Sequence, residues 1–255
     1  MMIVLISPSK TMDFDSKYET MKTEPDFHDD AFELIKELRE YDSKELASLM
    51  GISDELAKLN YNRFQTFKKA PNLDDGKQAL FTYQGSVYKE IYPEDFNDQE
   101  LEFSQRNLRI ISGLYGLLKP LDIIQPYRLE MSIKLKLNGY KNLYEFWQIK
   151  ITNRLTELVE QSHHKFLVNL ASKEYFGVLN TEKIQGNVVT PVFKDFKKGQ
   201  YRVIGFSAKK ARGKMVRYIV KKGIQDPHEL KKFTADDYRY SSKHSNDKQW
   251  VFIRD

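Results

Sequence analysis

The sequence predicts a mixed α/β (α+β) fold in one compact domain, with a mixed, partly antiparallel sheet. Three observations carry this expectation. Short apolar runs of strand length are interspersed with segments of helical spacing along the whole chain. Two alternating segments, Val188 to Phe196 and Tyr201 to Phe206, flank Lys197-Lys198-Gly199-Gln200; this reads as a hairpin and makes at least one strand pair antiparallel. No repeat, low-complexity tract or linker divides the 255 residues, so a single domain spans 1–255.

The elements follow in order. The run Met1 to Ile6 is too short for a signal-peptide core and has no basic region before it, so it reads as a buried first strand. Phe27 to Arg39 has helical spacing, with Phe32, Leu34, Ile35 and Leu38 inward. Ser43 to Met50 and Ser53 to Phe67 read as two helices around Gly51-Ile52. Residues 79–84 read as a strand, followed by a short helix to Tyr92. Asp98 to Asn107 is helical, with Asp98 as the cap. Arg109 to Ser112 is a strand entering the turn Gly113-Leu114-Tyr115-Gly116, and Tyr127 to Leu137 alternates as a strand. Leu143 to Gln161 is a long amphipathic helix, and Phe166 to Leu170 is a buried strand. A helix over 208–222 follows the hairpin and stops at Gly223, and Trp250 to Ile253 closes the sheet.

Composition narrows the function. With 40% hydrophobic and 13% aromatic residues, the chain has enough apolar material for a sizeable core. No run reaches the roughly 18 apolar residues of a membrane span. Cysteine is absent, which excludes disulfides, thiolate metal sites and thiol-based peroxide chemistry. A cytoplasmic protein without a membrane partner is expected. The net charge of +5 is unevenly placed: eleven Lys and Arg lie between Lys194 and Lys222 against the single acid Asp195, so the remainder is net acidic. Such focusing attracts polyanions. In the helix of this segment, Ala208, Ala211, Met215, Val216, Ile219 and Val220 form one apolar stripe. Lys209, Lys210, Arg212, Lys214, Arg217 and Lys221 face out or flank it. No acid sits at i+4 within the helix, so their charge is balanced from elsewhere in the fold or by a ligand.

Four local patterns bear on chemistry. Gly51-Ile52-Ser53 between two helices is helix-hairpin-helix-like, spanning about residues 43–67; such a turn offers backbone N–H groups to a phosphate. Ser53 replaces the usual second glycine and Asp54 and Glu55 follow, so an ordinary helix pair capped by Ser53 is the other reading. Ser7-Pro8-Ser9-Lys10 fits Ser-x-x-Lys, but at a strand end it suits a loop that meets an anion better than an acyl-transfer serine. Asn169-Leu170-Ala171-Ser172-Lys173-Glu174-Tyr175 follows a buried strand, where ligands tend to sit, although Ser172 also suits a helix cap. Arg128 and Glu130 share a strand face and either pair or address a cleft. The five histidines show no metal-site spacing, and neither a P-loop nor GxGxxG occurs, so no metal or cofactor is expected.

Several blocks, taken together, resemble the YaaA peroxide-stress family: IVLISPSKTM from Ile3, SGLYGLL from Ser112, PLDIIQPYRLEM from Pro120, NLASKEYF from Asn169, Pro191-Val192-Phe193 and SAKKARG from Ser207. They occur in the family's order across essentially the whole chain. The resemblance implies a single mixed α/β domain with a basic cleft and the helix-hairpin-helix-like element. It implies DNA binding directed to structure more than sequence, and protection against hydrogen peroxide and the damage done by free iron. Lys10, Gly51, Ile52, Ser53, Arg128, Lys173, Lys209, Lys210, Arg212, Lys214 and Arg217 become the expected DNA contacts. Ser7, Ser9, Asn169, Ser172, Glu174 and Tyr175 form an expected polar pocket, with no catalytic residue assigned. Tyr115, Tyr127 or Tyr175 would stack on unpaired bases. The alternative is an enzyme acting on a phosphorylated or nucleic-acid substrate in the same cleft.

Overall fold

The structure is a computed structural model that describes residues 2–16, 18, 21–71, 75–137 and 139–255; Met1 of the expected first strand lies outside them. In chain order the elements are β1 (Ile3–Ile6), α1 (His28–Arg39), α2 (Ser43–Met50), α3 (Asp54–Thr66), β2 (Lys77–Gln78), α4 (Ala79–Thr82), α5 (Ser86–Ile91), α6 (Asp98–Asn107), β3 (Leu108–Ser112), β4 (Gly116–Leu118) and β5 (Ile123–Ile124). The second half adds α7 (Leu143–Glu160), β6 (Phe166–Asn169), α8 (Lys173–Phe176), β7 (Asn187–Lys197), β8 (Gln200–Arg202), α9 (Gly205–Lys222), β9 (Arg239–Tyr240) and β10 (Gln249–Arg254).

The main sheet runs β4-β3-β1-β6-β7-β10-β9, with β8 hydrogen-bonded to the far end of β7. β3, β1, β6, β7 and β10 are mutually parallel. β4, β8 and β9 pair antiparallel at the margins, so the sheet is mixed as expected. A small second sheet pairs β2 with β5. All four residues of β1 are buried, as a parallel strand covered on both faces requires, and this explains its uninterrupted apolar sequence. The apolar stripe of α9 is buried as its spacing predicts, and the helix ends at Gly223 in the left-handed conformation.

Local readings differ at four places. Residues 79–84 are not a strand: the strand is Lys77–Gln78, and Ala79–Thr82 form a helical turn. All four turn residues are buried, which removes the periodicity that would have distinguished helix from strand. Tyr127 to Leu137 forms no regular strand. It runs as irregular chain so close to the 113–116 turn that a Cβ on Gly113 would lie 2.2 Å from the Leu129 carbonyl oxygen. The cap of α6 is Asn97 rather than Asp98; its side chain accepts from Glu100 N while the Glu100 carboxylate accepts from Asn97 N, a capping box. The second arm of the hairpin stops at Arg202, because α9 begins at Gly205.

Candidate anion-binding site

The site sits where the chain leaves two neighbouring parallel strands in opposite directions. After β1 the chain goes to β3 on one side; after β6, β1's other neighbour, it goes to β7 on the far side. Between two such diverging connections a crevice must open at the carboxyl ends of the strands. The residues that line it come from there: Ser7 follows β1 directly, and Leu170 and Ser172 follow β6. The recess has a volume of about 320 Å³.

Hydrogen bonds hold the two strand ends in register. Ser7 Oγ accepts from the Ser172 backbone N–H at 2.8 Å and lies 3.3 Å from Ser172 Oγ. Asn169 is buried behind the loop: its Oδ1 accepts from Ala171 N at 2.9 Å and its Nδ2 donates to Thr190 Oγ1 at 3.1 Å, tying β6 to β7. Ser172 caps the short α8, in agreement with the capping reading. Glu174 faces the recess with its Oε1 held by Ser132 N and Ser132 Oγ, the latter at 2.8 Å. A wall that the sequence did not single out comes from residues 84–88, where Tyr88 OH donates to the Ser7 carbonyl at 2.9 Å.

The adjoining wall is α9, which packs along α5. Gly213 makes that approach possible, since a Cβ there would lie 2.2 Å from the Val87 carbonyl oxygen. The close contact brings Lys209 and Arg212 onto the recess. Neither has an ion-pair or hydrogen-bond partner among the described residues. Burial holds the Arg212 guanidinium below its ordinary pKa.

The other cations of the helix are spoken for. Lys210 and Lys214 both reach Glu90, and Lys214 also pairs with Asp236. Arg217 pairs with Asp95 and donates to the carbonyls of Ile91 and Tyr92. Lys221 lies 2.9 Å from Glu100 and also reaches Asp95. Asp195, the one acid of the basic segment, accepts from Arg254 and Tyr238, both outside it. The charge balance of α9 therefore comes from the acidic elements packed against it, save for Lys209, Arg212 and the exposed Lys222.

Beside the recess, Lys10 lies 3.0 Å from Glu130 Oε1, and Arg128 donates to the same oxygen at 2.7 Å. Two cations thus share one buried carboxylate and leave a net positive charge at the rim. Arg128 Nε and Glu130 Oε2 are buried without a hydrogen-bond partner among the described residues. The expected contacts therefore separate. Lys10, Lys209 and Arg212 converge on the recess together with Ser7, Ser9, Ser172, Glu174 and Tyr175. Lys173 is exposed at the start of α8 and does not line it. Gly51, Ile52 and Ser53 form the α2–α3 turn and do not line it either; Gly51 adopts φ 61°, and the Ser53 hydroxyl accepts from Leu56 N and so caps α3. Tyr115 and Tyr127 are buried, which removes them as stacking rings. The Tyr127 hydroxyl lies 2.7 Å from both Tyr83 OH and Ser112 Oγ, and burial pushes its pKa up to about 12. Among the described residues, no three His, Asp or Glu side chains gather closely enough to hold a metal ion. No helix among them is long and apolar enough to cross a membrane.

Fold and site together define a mixed α/β protein with a recess, lined in part by Lys10, Lys209 and Arg212, at a switch point of its sheet. Residues 2–244 match the family described as "Peroxide stress protein YaaA", and the chain belongs to that family. It is similar to a UPF0246 protein of Janthinobacterium sp. (strain Marseille), 44% identical over 254 residues that cover 99% of this chain and 98% of the relative. It is equally similar to one of Teredinibacter turnerae, 44% identical with 99% of each chain covered. A third, of Aliivibrio fischeri (strain ES114), is 44% identical over all of this chain and 98% of its own length. Family membership supports a role in peroxide stress.

Proposed function

We propose that the protein serves the peroxide response in the cytoplasm by binding DNA backbone phosphate at the basic recess, protecting DNA from peroxide and free-iron damage. The observation that carries this reading is the convergence of Lys10, Lys209 and Arg212 on one recess while neighbouring cations are neutralised internally. A guanidinium that gives up part of its hydration and has no protein counter-ion is one that an anion would complete. Phe206, 66% exposed and one helical turn before Lys209, supplies an aromatic face for an unpaired base in place of the buried tyrosines. The α2–α3 turn would add backbone N–H groups as a secondary, sequence-blind contact. With no cysteine to consume peroxide, protection is indirect, through the nucleic acid.

The test is a mobility-shift series on duplex, bulged and junction DNA at two salt concentrations. Charge reversal at Lys209 and Arg212 together should abolish binding and leave the far-UV circular dichroism unchanged. Undiminished binding by that double variant would refute the reading. A second reading, an enzyme acting on a phosphorylated or nucleic-acid substrate, is favoured by Ser7, Ser172, Glu174 and Tyr175 lining the recess beside its cations. It requires that a phosphorylated oligonucleotide be converted on prolonged incubation, and that Glu174→Gln stop the conversion.

A further inference from the structure

Resting on the DNA reading above and narrowing its ligand from backbone to terminal phosphate, we propose that the recess takes a phosphomonoester of a nucleotide, either the phosphorylated end of a DNA strand or a free mononucleotide, and not a phosphodiester within a duplex. Size argues first. A volume of about 320 Å³ lies at the small end of ligand pockets, where a nucleotide-sized group fits and a double helix cannot enter. An internal phosphate is held on a continuous strand along a surface, whereas a terminal phosphate projects and can enter a crevice.

Charge argues second. A terminal phosphate carries close to two negative charges at neutral pH, against one for a phosphodiester. The recess offers two cations that pair with no carboxylate among the described residues, Lys209 and Arg212, and a third in Lys10 that it shares with Glu130. The Arg212 guanidinium can hold two phosphate oxygens side by side, and Lys209 acts as a point charge beside it. The same recess also carries the carboxylate of Glu174, which repels an extended run of phosphates but accepts a hydrogen bond from a sugar hydroxyl or a base amine. Cations and an acid in one small recess match a ligand that is anionic at one end and a hydrogen-bond donor at the other.

The experiment uses the full chain and fluorescein-labelled single strands of one sequence that differ only at the unlabelled end, hydroxyl or phosphate. Binding is followed by anisotropy, with deoxyadenosine monophosphate, deoxyadenosine and inorganic phosphate as competitors. At least tenfold tighter binding of the phosphorylated strand identifies a DNA end as the ligand. Competition by the monophosphate without an end preference identifies the free nucleotide. Either supports the proposal if deoxyadenosine fails to compete and if Arg212→Gln and Lys209→Gln each remove the effect. Equal binding of both strands with no competition by the monophosphate overturns the proposal and leaves the DNA reading standing. Inorganic phosphate competing as well as the monophosphate also overturns it. Binding of the monophosphate with no binding of either strand upholds the pocket and refutes the DNA reading.

Discussion

Arg212 costs the fold something. Its guanidinium is partly desolvated, and no acid among the described residues repays it. Arg212→Leu should therefore leave thermal stability unchanged or raise it, by up to about 1 kcal/mol, while anion binding is lost; a calorimetric melt beside a binding titration checks both halves. Asp122 is a second residue held against its preference. It is fully buried, accepting from Thr23 Oγ1 at 2.6 Å and Lys119 N at 2.8 Å, and burial raises its pKa to about 6. Between its unfolded value and about 6 the folded state holds the proton more tightly, so stability falls as pH rises through that window. The loss amounts to about 3 kcal/mol at most. Asp122→Asn should lower stability at acid pH, since Asn cannot accept from both partners, but flatten the decline between pH 4 and 7. An equally steep decline in the variant would assign it to another group. The two kinds of cation on α9 were half legible at this scale. At 100° per residue, Lys210, Lys214, Arg217 and Lys221 share one side of the helix, and Lys209 and Arg212 fall on another. What the sequence could not show is that Glu90, Asp95 and Glu100, more than a hundred positions earlier, meet the first side.

The junction of α5 and α9 sets the geometry of the recess, and Gly213 sets the junction. Alanine there would favour the helix by about 1 kcal/mol in propensity. Overpacking against a backbone carbonyl costs about 1–3 kcal/mol, and the obstructing Val87 oxygen cannot rotate away, so the penalty wins. Gly213→Ala should destabilise the protein in urea and weaken anion binding together, because α9 carries Lys209 and Arg212 outward as it shifts. The helix read over 208–222 runs through Gly213 without comment from its spacing, and nothing local says what approaches it. The same limit explains the misread stretches. Helices with one wet face, such as α1, α2 and α7, show their period; Ala79–Thr82, wholly buried, shows none. Tyr127 to Leu137 alternates because alternate residues meet the core, although no strand pairs with it.

For the molecule as a whole, the distribution of charge matters more than its sum. If each basic residue from Lys194 to Lys222 neutralised a DNA phosphate, the logarithm of affinity would fall with the logarithm of salt at a slope of about −10. With only Lys10, Lys209 and Arg212 turned to the ligand, the slope should be about −3. Affinity measured from low to physiological salt separates these values, and the steep one would mean that the internal ion pairs open on binding. The placement of β1 has a consequence for how the chain reaches this state. Its partners are β3 and β6, so β1 waits for Leu108–Ser112 on one edge and for Phe166–Asn169 on the other. High contact order slows closure and leaves apolar strand edges unpaired until then.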